Sequence, residues 1–344
     1  KACPLVAALY DDAEIQAYRR QLAQAPLATL WDKRLALAEQ YARQWPQPEL
    51  TADPVIPFLR SRWGRANLSD QAVGLRAALD LAWAGLIAER DDWRRLALRW
   101  VLTWTRCQRW VQFGVENIPE IPFSHAQFVQ SRTATIAACV FDWCGELLTP
   151  DGQRTVAEAI QRLGVRDIDT ILGPKSYVWG MNQGMVFERG CFVAALTIRQ
   201  WYPEGFAARI ERATRMLSQC LETCILEDGS AIEGASYLQY TLGQVPELAL
   251  AVTRASGQPL SALLPERLQL AGRWSWINRS QTNADETETT QLPYADCNLG
   301  TAIGAGLAAF FAGPLGCEEF RAAAEASWPA STGPDYLRHM AILR

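Results

Sequence analysis

The sequence predicts an all-α fold assembled from helical hairpins, and three observations lead there. Apolar residues recur at three- and four-residue spacing through most of the chain, as in helices with one buried face. Convincing alternating strands are absent, and valine and isoleucine are not clustered as a sheet would require. The third observation is a coarse repeat. Polar breaks fall at ERDDW (89–93), LTPDGQ (148–153), WYPEGF (201–206) and ASGQPLS (255–261). Their markers Asp91, Pro150, Pro203 and Gly257 lie 59, 53 and 54 residues apart. Stacked hairpins of this period build either an open solenoid or a closed ring.

Taken in order, the helical segments are QAVGLRAALDLAWAGLIAER, DDWRRLALRWVLTW, SRTATIAACVFDWCGELL and GFAARIERATRMLSQCLETCIL. Each break has an Ala- and Leu-rich helix before it and an amphipathic helix after it. The return loops between hairpins are IPEIPFSHAQF, ILGPKSYVWGMN and LEDGSAIEGASY, rich in Gly, Pro, aromatic and polar residues. All three fall on the same side of their hairpins, so their convergence would form a cleft, where sites are expected. No linker-like or low-complexity segment interrupts the pattern, and residues 1–344 read as one domain.

Composition narrows the function classes. An apolar fraction of 49% and a charged fraction of 20% are those of a globular chain, not a disordered one. The longest apolar runs, such as TIAACVF and FVAALTI, are too short to span a bilayer, so no membrane partner is expected. A net charge of −4 argues against a general nucleic-acid binder, although 33 Lys and Arg leave room for a local basic groove. No signal peptide is visible, the chain opening on Lys1 before CPLVAALY. Nine cysteines without a CxxC pair read as free buried thiols in helices, with a disulfide or metal site as the alternative; Cys220 and Cys224 would share a helix face. With only His125 and His339, a His-rich metal centre is not expected, and no cofactor is implied. Fourteen tryptophans supply either core or platforms for sugar rings.

Two stretches stand out chemically. In YVWGMNQGMVFERG (177–190) the amides of Asn182 and Gln183 interrupt an apolar pattern, with Tyr177 and Trp179 just upstream. A buried amide without a partner costs roughly 1–3 kcal/mol, so it needs a structural partner or a ligand. In EDGSAIEGASYLQYTLGQ (227–244), Asp228 and Gly229 make a turn and Ser236 is placed to cap the helix begun by YLQYTL. Tyr237 and Tyr240 share a face of that helix. The plain alternative is that both Tyr rings pack and that Glu233 caps a helix.

In order and spacing these segments resemble the N-terminal helical toroid of the heparinase II/III-like polysaccharide lyases, and more loosely the toroidal alginate lyases. The resemblance rests on LYDDAEIQAYRRQLAQAPLATLWDKRLALAEQ, LRAALDLAWAGLIAERDDWRRLALRWVLTW, TATIAACVFDWCGELLTPDGQRTVAEAIQRLG, NQGMVFERGCFVAALTI, DGSAIEGASYLQYTL and LPYADCNLGTA. It implies an incomplete (α/α)5–6 toroid, a periplasmic or secreted location and an anionic uronate polysaccharide or oligosaccharide as partner. The implied reaction is β-elimination. An amide or cation neutralises the uronate carboxylate, a base removes the C5 proton, and an acid protonates the departing oxygen.

Matched to this sequence, Asn182 or Gln183 takes the carboxylate-binding position and Tyr237 that of the catalytic Tyr. The family frequently carries a His at the first site, which this chain lacks, so Tyr237 or His125 is left to act as base. Trp179, Tyr177, Lys175, Arg132, Arg189, Glu233 and Tyr240 are the expected substrate contacts. Family members usually continue into a β-sandwich, expected to be absent here because the chain stops at LRHMAILR, as in the toroid portion of a longer enzyme or a toroid-only lyase. Two further classes stay open. One is a toroidal glycoside hydrolase using Asp228 and Glu233, and the other a non-catalytic carbohydrate-binding toroid.

Overall fold

The computed structural model describes residues 9–25, 27–44, 72–107, 109–110, 126–173, 176–281, 289–291 and 303–327. The described residues are overwhelmingly helical, as the periodicity predicts. In chain order the helices are α1 (Asp12–Leu22), α2 (Leu27–Gln44), α3 (Ala72–Ile87), α4 (Asp91–Thr105), α5 (Ala126–Cys144), α6 (Pro150–Ala159), α7 (Arg166–Leu172), α8 (Asn182–Thr197), α9 (Phe206–Cys224), α10 (Ala235–Leu242), α11 (Val245–Ser256), α12 (Leu260–Leu263), α13 (Arg267–Ile277), α14 (Ala305–Leu315) and α15 (Glu318–Ser327). One short antiparallel ladder, β1 (Arg279–Gln281) against β2 (Thr289–Gln291), departs from the all-α pattern. Three-residue strands are too short to carry an alternation that sequence reading detects. No helix among the described residues is long and apolar enough to cross a membrane.

All four predicted breaks are helix-to-helix turns, each with its own local cause. Asp91 and Asp92 open α4, where carboxylates suit the positive end of the helix dipole. Thr149 caps α6 by accepting from the Gly152 N–H at 3.2 Å, and Pro150 takes the first helical position. Gly205 precedes α9 at φ +70°, and Gly257 ends α11 in the left-handed conformation at φ +73°. Between α6 and α7 the chain forms a π-helical stretch, Ile160–Val165. There Gly164 passes so close to Ala134 of α5 that a Cβ would lie 2.9 Å from the alanine Cβ.

Where the repeat predicts one uninterrupted domain, contacts divide the chain into two compact units. The first comprises Lys1–Pro174 with Phe187–Arg209, the second Lys175–Val186 with Ile210–Arg344, so two boundaries fall inside α8 and α9. In the first unit, α3 packs on α2, α4 and α5. Its core holds a cluster in which Trp83 meets Tyr10 at 5.3 Å and Trp143 at 5.2 Å between ring centroids. The Arg34–Asp80 ion pair, 2.6 Å long with side chains only 3% and 1% exposed, joins α2 to α3. Helices α5 and α8 approach through Ser131 and Gly190, where a Cβ would overlap the serine. In the second unit, α14 packs on α15 and α12, and α13 on α15, around Phe310, Phe311 and Phe320.

The seven described cysteines are all free and buried, which agrees with the reading of core thiols; Cys3 and Cys297 lie outside the described residues. No cluster of three or more metal-binding side chains occurs among the described residues. Most described tryptophans are core as well. Trp83, Trp93, Trp100, Trp104, Trp110, Trp143 and Trp179 are all buried.

Candidate functional site

The site lies in the second unit, at the meeting of the α8 start with the turn between α9 and α10. A 3-10 turn, Ser176–Gly180, leads into α8, and the Met181 N–H donates to the Val178 carbonyl at 3.2 Å. Gly184 is obligatory here, because a Cβ would overlap the Val178 carbonyl oxygen. Gly180 similarly passes Thr223 of α9, a Cβ lying 3.4 Å from its side chain. These two glycines let the turn press against the helices and deliver Asn182 as the first residue of α8, 2% exposed.

The second segment is built by its own turn chemistry. Beyond α9, Ile225 bridges Ala231, and the Leu226 N–H donates to the Ser230 carbonyl at 2.8 Å. Asp228 accepts from the Ser230 N–H at 2.9 Å and its hydroxyl at 2.6 Å. The Ser230 bonds hold the Asp228 carboxyl below the usual carboxylate range. Gly229, at φ +86°, lies so close to Leu270 of α13 that no side chain fits. The predicted Asp228–Gly229 turn is therefore present.

The predicted Ser236 cap is not. Helix α10 starts at Ala235, and its cap residue is Gly234 at φ +88°, which has no side chain to cap with. The left-handed φ at Gly234 turns the backbone into the helix two residues before Ser236 can cap it.

Nor does Glu233 cap this helix. Its carboxylate reaches across to the α8 start, where Asn182 Nδ2 donates to Glu233 Oε2 at 2.7 Å. The amide singled out as needing a partner and the carboxylate of the EGASY turn thus meet across 51 residues of sequence. A hydrogen bond to a charged group is worth about 1.5–3 kcal/mol net, enough to fix the Asn182 rotamer. Gln183, the neighbouring amide, is half-buried, and its carbonyl oxygen is buried without a hydrogen-bond partner. Tyr237 and Tyr240 stand half-buried on α10, one turn apart.

Two thiols lie against the start of this segment. Cys220 Sγ is 3.2 Å from the Met181 carbonyl and 3.9 Å from Cys224 Sγ, both on α9 as the spacing predicts. The contact with Cys224, then burial, raises the Cys220 thiol, while the same contact lowers Cys224.

Trp179 is only 8% exposed, and the Arg215 guanidinium covers its ring at 4.0 Å from the centroid. Its π face is therefore occupied by a cation rather than open to a sugar. Arg215 was invisible to sequence reading, since nothing local links residues 36 positions apart in different elements.

Arg132 on α5 and Arg189 on α8 belong to the first unit, Arg132 half-buried and Arg189 8% exposed. His125, Lys175 and the Tyr177 side chain lie outside the described residues.

Chemically, the meeting point offers a fixed amide, a carboxylate and a second amide with an unspent carbonyl, and the helix that follows the turn carries Tyr237 and Tyr240. A scan against protein-family models finds none that matches this chain, and a search of curated proteins finds no match either.

Proposed function

We propose that this protein is a polysaccharide lyase that cleaves a uronic-acid-containing polysaccharide by β-elimination, its hairpins arranged as an incomplete α/α toroid acting in the periplasm or outside the cell. The observation that carries the reading is the Asn182–Glu233 hydrogen bond, which joins the two segments whose chemistry β-elimination requires. In this mechanism Asn182, oriented by Glu233, and Gln183 take the uronate carboxylate and lower the cost of the enolate-like intermediate. Tyr237, four residues beyond Glu233, serves the proton steps, as acid to the glycosidic oxygen and as base where no histidine does so.

The alternative of a hydrolase with paired carboxylates fits less well. Asp228, the partner that Glu233 would need, has its carboxylate spent on the Ser230 turn and held ionised there. A general acid needs the opposite, a raised pKa.

The test is a screen of uronate polysaccharides for the ultraviolet chromophore of unsaturated products, run in solvent labelled with heavy oxygen. A lyase gives new absorbance and no solvent oxygen in the products; the reverse result sinks the proposal. Tyr237→Phe is expected to lower kcat by about 10²–10⁴-fold with substrate affinity kept. Asn182→Ala is expected to lower kcat by about 10²–10³-fold. A purely carbohydrate-binding protein would show neither loss, having no turnover to lose.

A further inference from the structure

The proposed reaction accounts for the amides and the tyrosines but not for Arg215. This residue lies on α9, exposed to solvent, with its guanidinium stacked on the buried Trp179 ring at 4.0 Å. No hydrogen bond or ion pair engages it among the described residues, whereas Arg209 on the same helix is committed to Asp169. The contact with the ring uses no hydrogen bond, so the guanidinium N–H donors stay available to pair with a carboxylate or sulfate.

Its placement is also specific. The same helix touches the α8 start at Gly180 through Thr223 and at Met181 through Cys220. Trp179, the platform, stands three residues before Asn182. Trp179 thus holds a cation on the segment that leads into the amide pair, at low entropic cost, because an aromatic face restrains an otherwise flexible side chain.

We infer that Arg215, held by Trp179, is an anion-recognition residue that binds a second negative group of the substrate, on a sugar next to the one cleaved. The inference rests on the lyase reading for its substrate class, a polyanion with charge on consecutive sugars. The oxyanion is either a neighbouring uronate carboxylate or a sulfate ester.

The experiment compares the full chain with Arg215→Met, which keeps an aliphatic cover on Trp179 but removes the charge, and with Arg215→Lys, which keeps charge without the planar fork. Thermal unfolding of all three verifies that they fold. Turnover is measured on a non-sulfated uronate polymer and a sulfated one, and binding of the same polymers by affinity electrophoresis at several salt concentrations. Arg215→Met is expected to raise KM about tenfold or more, with kcat retained and a shallower salt dependence. Arg215→Lys should recover part of that loss. A loss confined to the sulfated polymer assigns the sulfate ester, and a loss on both assigns the carboxylate.

Turnover with KM unchanged in Arg215→Met overturns the role of Arg215 and leaves the lyase reading standing. Absence of turnover, with polyanion binding that still weakens about tenfold in Arg215→Met, sustains the anion site and removes the lyase reading. Failure of the wild-type chain to bind either polymer overturns the anion site.

Discussion

At Asn182 the chain resolves a problem that its own sequence poses. A side-chain amide in the first turn of a buried helix needs a partner, and Glu233 supplies one at 2.7 Å. Replacing Asn182 with Asp would set two carboxylates against each other there. Each would have its pKa raised by the other, so the folded pair binds protons more tightly than the unfolded chain. The variant is therefore expected to lose stability relative to wild type as pH rises from about 4 to 7, the range over which carboxylates ionise. Denaturant titrations of both proteins at the two ends of that range measure it; an equal difference at both would refute the pairing.

Gly184 makes a separate demand at the same scale. A methyl group would overlap the Val178 carbonyl, so Gly184→Ala is expected to cost more than about 3 kcal/mol in denaturant unfolding. The two amides were legible in the sequence as an anomaly. Their separate fates, one bound to Glu233 and one with an unspent carbonyl, were not, because the partner comes from a turn 51 residues away.

At the scale of elements, the breaks were legible because helix ends are written locally. Pro150 at a first helical position, Thr149 ahead of it and Gly257 at a left-handed C-terminus act within one turn of the chain. Gly257→Ala tests this in isolation. No atom lies within 4 Å of an added Cβ, so only the left-handed backbone is at issue, and a loss of about 1 kcal/mol is expected in the denaturation midpoint. Thr149→Ala should cost a similar amount, about 1 kcal/mol, through the lost cap.

Elements whose cause is not local were missed. The π-helical stretch at Ile160–Val165 differs from an α-helix by one step of hydrogen bonding, and its glycine faces Ala134 of another helix. The β1–β2 ladder exists only as a pairing. The start of α10 was displaced by two residues because Gly234, not Ser236, absorbs the turn.

At the scale of the whole molecule, burial is the main influence on the Cys144 and Cys317 thiols, whereas Cys220 and Cys224 act mainly on each other. Cys144 is pushed from 9.0 up to about 12, first by burial, with Arg94 partly opposing it. A folded pKa above the unfolded one gives stability that is fully present below about 9 and lost as pH rises toward about 12. Native protein at pH 8 is therefore expected to leave the seven described thiols unreactive toward an aromatic disulfide reagent, and to release them on unfolding. Rapid reaction of more than two thiols in the native protein would contradict this burial.

The sequence by itself determined the helical class, the positions of the hairpin turns and the identity of the polar residues that break an apolar pattern. All of these follow from spacing and turn chemistry within a few residues. Only the tertiary structure decided the pairings. Asn182 is bound to Glu233, Arg215 is parked on Trp179, and Arg34 is buried against Asp80. Each joins residues from different elements, through charge, hydrogen bonding or a ring face, between groups that neighbour each other only after folding. A linear pattern carries no record of that proximity.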